Sequence, residues 1–126
     1  FYDAALAPLG LVRRATEPTE LGYGLPDDRR PRLWITLPFD GKPATIGNGS
    51  MPALIASDQM AVKAFHAAAL AHGGSDEGTP GYRPHGPAFF AAYVRDPDGN
   101  WIDLSQRASL TGALEPSAAQ GAPVRD

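Results

Sequence analysis

Phe1-Tyr2-Asp3-Ala4-Ala5-Leu6-Ala7-Pro8-Leu9-Gly10 aligns without gaps on Phe65-His66-Ala67-Ala68-Ala69-Leu70-Ala71-His72-Gly73-Gly74, with identity at Phe, Ala, Ala, Leu, Ala and the final Gly. Self-similarity at this spacing marks one supersecondary unit used twice. Both segments read as helix ends, because Ala and Leu favour the helix and a glycine past the last periodic residue is a common left-handed stop. In the second copy the helix extends further back. Ser57 or Asp58 can cap it, and Met60, Ala61, Ala64, Phe65, Ala68 and Ala69 recur at helical spacing. Ahead of it, Met51 to Ala56 reads as a short buried strand, limited by Pro52 to a strand start or an edge. The second unit therefore opens strand, then helix. By the repeat, the first should open the same way, with its strand in front of Phe1.

Extended segments follow each helix. In the first unit they are Leu11 to Thr16, the region around Leu21-Gly22-Tyr23-Gly24, and Leu33 to Leu37; in the second they are Phe89 to Arg95 and Asn100 to Leu104. Asp98-Gly99 between the last two runs is a hairpin signal, read here as a two-residue type I′ turn with Asp96 and Asn100 flanking it. Such a turn sets Val94 opposite Asp103. Alternation then sends Tyr93, Ile102 and Leu104 toward the helix, and Phe90, Ala92, Val94, Trp101 and Asp103 toward the opposite, concave face. The pattern is α+β: two βαβββ modules forming a curved, mostly antiparallel sheet around a cleft. One domain is expected over residues 1–107, with the first module at about 1–41, a Gly- and Asn-rich linker at 42–49, and the second module at about 50–107. Residues 108–126, rich in Ala, Ser, Pro and Gly, read as a tail that needs a partner surface to order.

Composition removes several function classes. The 126 residues suit one compact core, and with 43% hydrophobic and 20% charged residues the chain can bury enough apolar surface to fold. A formal net charge of -3 with scattered Lys and Arg leaves no electrostatic footprint for nucleic acid. The absence of Cys excludes disulfides, thiolate metal sites and a Cys nucleophile, and fits a cytoplasmic protein. No apolar run is long enough to cross a membrane as a helix.

The glycine-stopped helix FYDAALAPLGL, the phrase FHAAALAHGG, the run Gly78 to Pro84 and above all the closing hairpin YVRDPDGNWIDL resemble the vicinal-oxygen-chelate superfamily of glyoxalases, bleomycin-resistance proteins and dioxygenases. The resemblance spans Phe1 to about Leu104. It implies a cleft in which a divalent metal (Zn, Ni, Fe or Mn) chelates adjacent substrate oxygens in some members, while other members hold a compound without metal. The family's ligands, His or Gln and Glu, sit on the opening and closing strands of each module. Here Met51 stands where the resemblance implies His and Asp103 where it implies Glu, and the first module's closing position falls near Trp34 or Thr36. A thioether is a soft neutral ligand, ill matched to such ions. The expected function is therefore binding of a small molecule in the cleft with a degenerate metal site; the alternative is a metal-dependent lyase, isomerase or dioxygenase, with Asp103 as catalytic group and metal ligand.

Six further residues are expected to bind ligand: Met51, Arg83, Phe90, Val94, Trp101 and Trp34. Arg83 is the candidate for an anion, because its planar fork suits carboxylate or phosphate. The two Trp could wall an aromatic compound, though aromatics in strands are more often core. His66 and His72 are expected at solvent or near the end of the second helix, and His85 at the cleft rim. An open edge in the first module, together with the cross-subunit pairing the resemblance implies, points to a homodimer.

Overall fold

The computed structural model describes residues 1–84 and 88–106. His85 and the expected tail, 108–126, lie outside these. The chain runs α1 (Tyr2–Leu6), a 3-10 turn (Ala7–Leu9), β1 (Val12–Thr16), β2 (Glu20–Gly24), β3 (Leu33–Thr36), β4 (Ala53–Ile55), α2 (Gln59–Ala71), β5 (Ser75–Tyr82), β6 (Phe90–Arg95) and β7 (Trp101–Gln106). The strands fall into two sheets, ordered β1-β2-β3 and β4-β7-β6-β5. All pairings are antiparallel except β4 with β7. The α+β class read from the sequence is the one observed.

The repeated segments behave as their sequences dictate. Pro8 tightens the end of α1 into the 3-10 turn, and Gly10 closes it in the left-handed region at φ 77°. Asp58 caps α2 by accepting from the Ala61 amide at 2.8 Å. At the other end, Gly73 (φ 97°) turns the chain and the Gly74 amide returns to Ala69 O at 2.8 Å. The buried stripe of α2 is Ala61, Val62, Phe65, His66 and Ala69, and Met60, one of the residues that recur at helical spacing, is 70% exposed. His66 is likewise corrected. It is buried, because α2 packs that flank on β5, where Nε2 meets Asp76 Oδ1 at 2.9 Å. His72 is exposed, with Nδ1 beside the Ala68 carbonyl at the helix end.

Both helices pack on each other and share one core with the sheets. Leu6, Tyr23, Val62, Phe65, Val94 and Leu104 are fully buried at the centre of one core. Each such side chain contributes about 1.5–3 kcal/mol by leaving water. Tyr23 keeps its hydroxyl satisfied at the core's edge by donating to Asp3, which also holds Arg13. Burial, and then this bond, push the Tyr23 phenol up to about 12.

The β6–β7 hairpin differs from expectation by one residue. The Gly99 amide bonds to Asp96 O and the Asp96 amide to Asn100 O, both at 2.9 Å, so the loop has three residues, Pro97-Asp98-Gly99. Asp, Pro and Gly occupy the first, second and fourth positions of a type I turn, each where it is favoured, and Gly99 takes the left-handed bulge at φ 90°. Tyr93 thus faces Asp103, Val94 faces Ile102 and Arg95 faces Trp101. With a side-chain period of two, a one-residue slip exchanges the faces of β6. Phe90, Ala92 and Val94 pack into the helix-covered core, while Ala91, Tyr93 and Arg95 share the opposite face with Trp101, Asp103 and Ser105.

The buried Asp96 carboxylate holds this loop. Oδ1 accepts from the amides of Asp98 and Asn100, and Oδ2 from the Asn100 side-chain amide and the Tyr2 hydroxyl of α1. Burial and this acceptor push the Tyr2 phenol upward. Asp96→Ala would strand several donors, with an expected loss of about 3 kcal/mol in urea unfolding, against about 0.5 kcal/mol or less for exposed Asp98→Ala. Equal losses would show that Asp96 does not organise the loop.

Among the described residues, three carboxyls titrate below the ordinary 3.8: Asp3 beside Arg13, Asp28 beside Arg32, and Asp76 beside His66. A depressed folded value stabilises above the unfolded pKa and is lost as pH falls through the folded one. The melting temperature should therefore hold between pH 7 and about 5 and fall below about pH 4. Asp76→Asn should shrink that fall, as thermal scans from pH 7 to 2 would record.

Candidate functional site

The face opposite the helices is built from alternate residues of β6 and β7. Its middle is Tyr93 facing Asp103 across the ladder, both buried, with Ala91 and Ser105 beyond them. β4 flanks this on the other side, Ala53 pairing with Asp103, and the Asp103 amide donates to Pro52 O at 2.9 Å. Asp103 Oδ1 is shielded from solvent. Asp103 is thus anchored from both neighbouring strands and holds a carboxylate within the face.

Next to it, at the hairpin end, Arg95 lies across the ring of Trp101, its guanidinium carbon 4.4 Å from the ring centroid. Two bonds fix its orientation: Nε to Glu77 Oε1 at 2.9 Å and Nη1 to Gly99 O at 2.7 Å. The segment between the sheets folds over this pair. A turn at Gly47 to Ser50 closes through the Ser50 amide and Gly47 O at 3.2 Å, and Ile46 lies so near Gly99 that a Cβ there would come within 2.7 Å of Ile46 Cγ1. Ile46, Asn48, Ser50, Met51, Arg95 and Trp101 enclose an open cavity of about 310 Å³. That volume is at the low end of the range for small-molecule sites.

The structure brings together some of the residues expected from sequence and separates others. Met51 and Trp101 line the same cavity. Asp103 lies two residues further along β7 on the same face. Arg83 is over the Tyr93 ring at 5.4 Å and donates to Thr79 O at 2.7 Å. It holds β5 beside the centre of the face and does not line the Met51–Trp101 cavity. Trp34 sits on β3 of the other sheet, against Gly22 and 41% exposed, also outside that cavity. Phe90 and Val94 are corrected: the three-residue loop turns them into the core, where they are 6% and 0% exposed. Arg95, Asn48 and Ser50 also line the cavity and were not singled out from the sequence. The parity of the hairpin would have found Arg95, whereas the linker residues carry no periodic signal.

Among the described residues, no three His, Cys, Asp or Glu side chains come together. Among the described residues, Asp103 and the thioether of Met51 are fewer than the three or more well-placed protein ligands such sites need.

The family model for the Glyoxalase/Bleomycin resistance protein/Dioxygenase superfamily matches residues 5–104. A glyoxalase/bleomycin resistance protein from Albidiferax ferrireducens T118 is 38% identical, with a TM-score of 0.73, covering 84% of this chain and 83% of its own. A glyoxalase-related enzyme from Fulvimarina pelagi shares the fold at 19% identity and TM-score 0.59, covering 83% of this chain and 78% of its own. A bleomycin resistance determinant encoded on the transposon Tn5 does so at 16% and 0.53, covering 85% and 87%. No curated protein matches the chain. A match across most of the chain, a relative at this identity and the two-sheet architecture carry one conclusion: the chain belongs to the glyoxalase/bleomycin resistance protein/dioxygenase superfamily.

Proposed function

We propose that this chain binds a small, planar organic molecule in the cavity at the hairpin end of its concave face and carries no resident divalent metal there. The observation behind the proposal is the convergence of Met51, Trp101 and Arg95 on one cavity, where the resemblance read from the sequence implies a metal-binding His at position 51. A ring, a thioether and a guanidinium plane offer contact to a flat compound, and together with Asp103 they do not make a metal site. Arg83 and Trp34 would then act outside this cavity, Arg83 by supporting Tyr93. Residues 1–107 form the binding domain in this reading and 108–126 a tail. A cytoplasmic homodimer belongs to it as well, supported by the absence of Cys and by the edge strands of both sheets.

Calorimetry tests both halves with the full chain. Neutral 2-naphthamide should bind, and Trp101→Ala should weaken it at least tenfold, roughly the effect of losing one aromatic contact of about 1.4 kcal/mol. Zinc and nickel should give no stoichiometric heat. One equivalent of metal bound tightly, and lost in Asp103→Ala, would replace this reading with that of a metal-dependent lyase, isomerase or dioxygenase.

A further inference from the structure

We propose that the Arg95–Trp101 stack makes this cavity selective for anionic planar ligands, aromatic carboxylates being the class that fits, and that Glu77 sets how strong the preference is. The inference rests on the cleft-binding reading above and adds the charge of the ligand.

Among the described residues, Arg95 is the cationic side chain that lines the cavity; the others that line it are apolar or neutral. Its guanidinium is held from two directions, Nε on Glu77 and Nη1 on the Gly99 carbonyl, and among the described residues Nη2 makes neither bond. A fixed guanidinium loses little freedom when it accepts a carboxylate, and its N–H groups are matched to carboxylate oxygens. The ring beneath it serves a second purpose. With the guanidinium carbon over the Trp101 ring, 4.4 Å from its centroid, cation and aromatic surface form one wall, so a flat ligand can lie along that wall and bring its carboxylate to Arg95. The Asn48 amide and the Ser50 hydroxyl, in the turn across the cavity, add neutral donors for the same oxygens.

Glu77 works against the anion. Its Oε1 lies 2.9 Å from Nε, and both side chains are partly exposed, at 25% for Arg95 and 33% for Glu77. The carboxylate therefore orients Arg95 while offsetting part of its charge. Replacing it by the neutral amide keeps an acceptor for Nε and removes the offset.

The test compares 2-naphthoate with its near-isostere 2-naphthamide by calorimetry, at two salt concentrations. In the parent, naphthoate should bind about tenfold tighter, and the margin should narrow with salt. Arg95→Gln should bring the ratio to about one while naphthamide still binds, which also reports an intact cavity. Glu77→Gln should tighten naphthoate several-fold and leave naphthamide unchanged. Equal binding of the two compounds in the parent, or a ratio unmoved in both variants, overturns the charge selectivity and leaves the binding reading standing. Failure of both compounds to bind the parent overturns the binding reading and the selectivity with it.

Discussion

One buried carboxylate sets the geometry on which the rest of this molecule depends. Asp96 gathers backbone amides from its own loop, the Asn100 side chain and the hydroxyl of Tyr2 from a helix at the other end of the chain. Donors that converge on a charged acceptor away from water form the stronger class of hydrogen bond, and their loss leaves groups that water cannot easily reclaim. The loop is thereby fixed at three residues, and the loop length fixes the register of β6 on β7. Every side chain of β6 takes its face from that register.

The cavity inherits its composition from the same parity. Arg95 stands opposite Trp101 and Tyr93 opposite Asp103 because three residues, Pro97 to Gly99, separate the paired Asp96 and Asn100. One more or one fewer residue would bury the guanidinium in the core and bring Val94 out to the face. The Tyr2 bond extends this control to α1, so the first helix and the last hairpin are positioned by a shared polar contact beside their common apolar core. Structure and site are therefore coupled at one point, though Asp96 itself touches no part of the cavity.

Much of this was legible from sequence. Identity at Phe, Ala, Leu and Gly in two distant segments gave two helices and their stops, and Asp58 announced a cap that the structure contains. Helical periodicity was less exact about the buried stripe, choosing Met60 where Val62 is used, because the packing angle of α2 on β5 and β6 decides which flank of the stripe is covered. The hairpin was misread although its signal was present. Asp-Gly suggests a two-residue turn, but Pro97 favours the second position of a type I turn, which makes Asp96 the first and Gly99 the bulge. Phe90 and Val94 were misplaced by that single step, while Trp101 and Asp103 kept their face because β7 did not shift. β5 was hidden for another reason: Ser75 to Tyr82 is polar and glycine-rich, its pairing with β6 is irregular, and it has no alternation to read.

The contact between Ile46 and Gly99 has an evolutionary consequence. A linker residue and a turn residue, far apart in sequence, share one small volume at the cavity's edge, and any side chain at 99 must displace Ile46 as well as adopt a left-handed backbone. Position 46 is therefore free to vary in size only while 99 stays glycine, and drift at the linker is conditional on the turn. The linker side chains at 46, 48 and 50 can then reshape the cavity while the hairpin stays as it is.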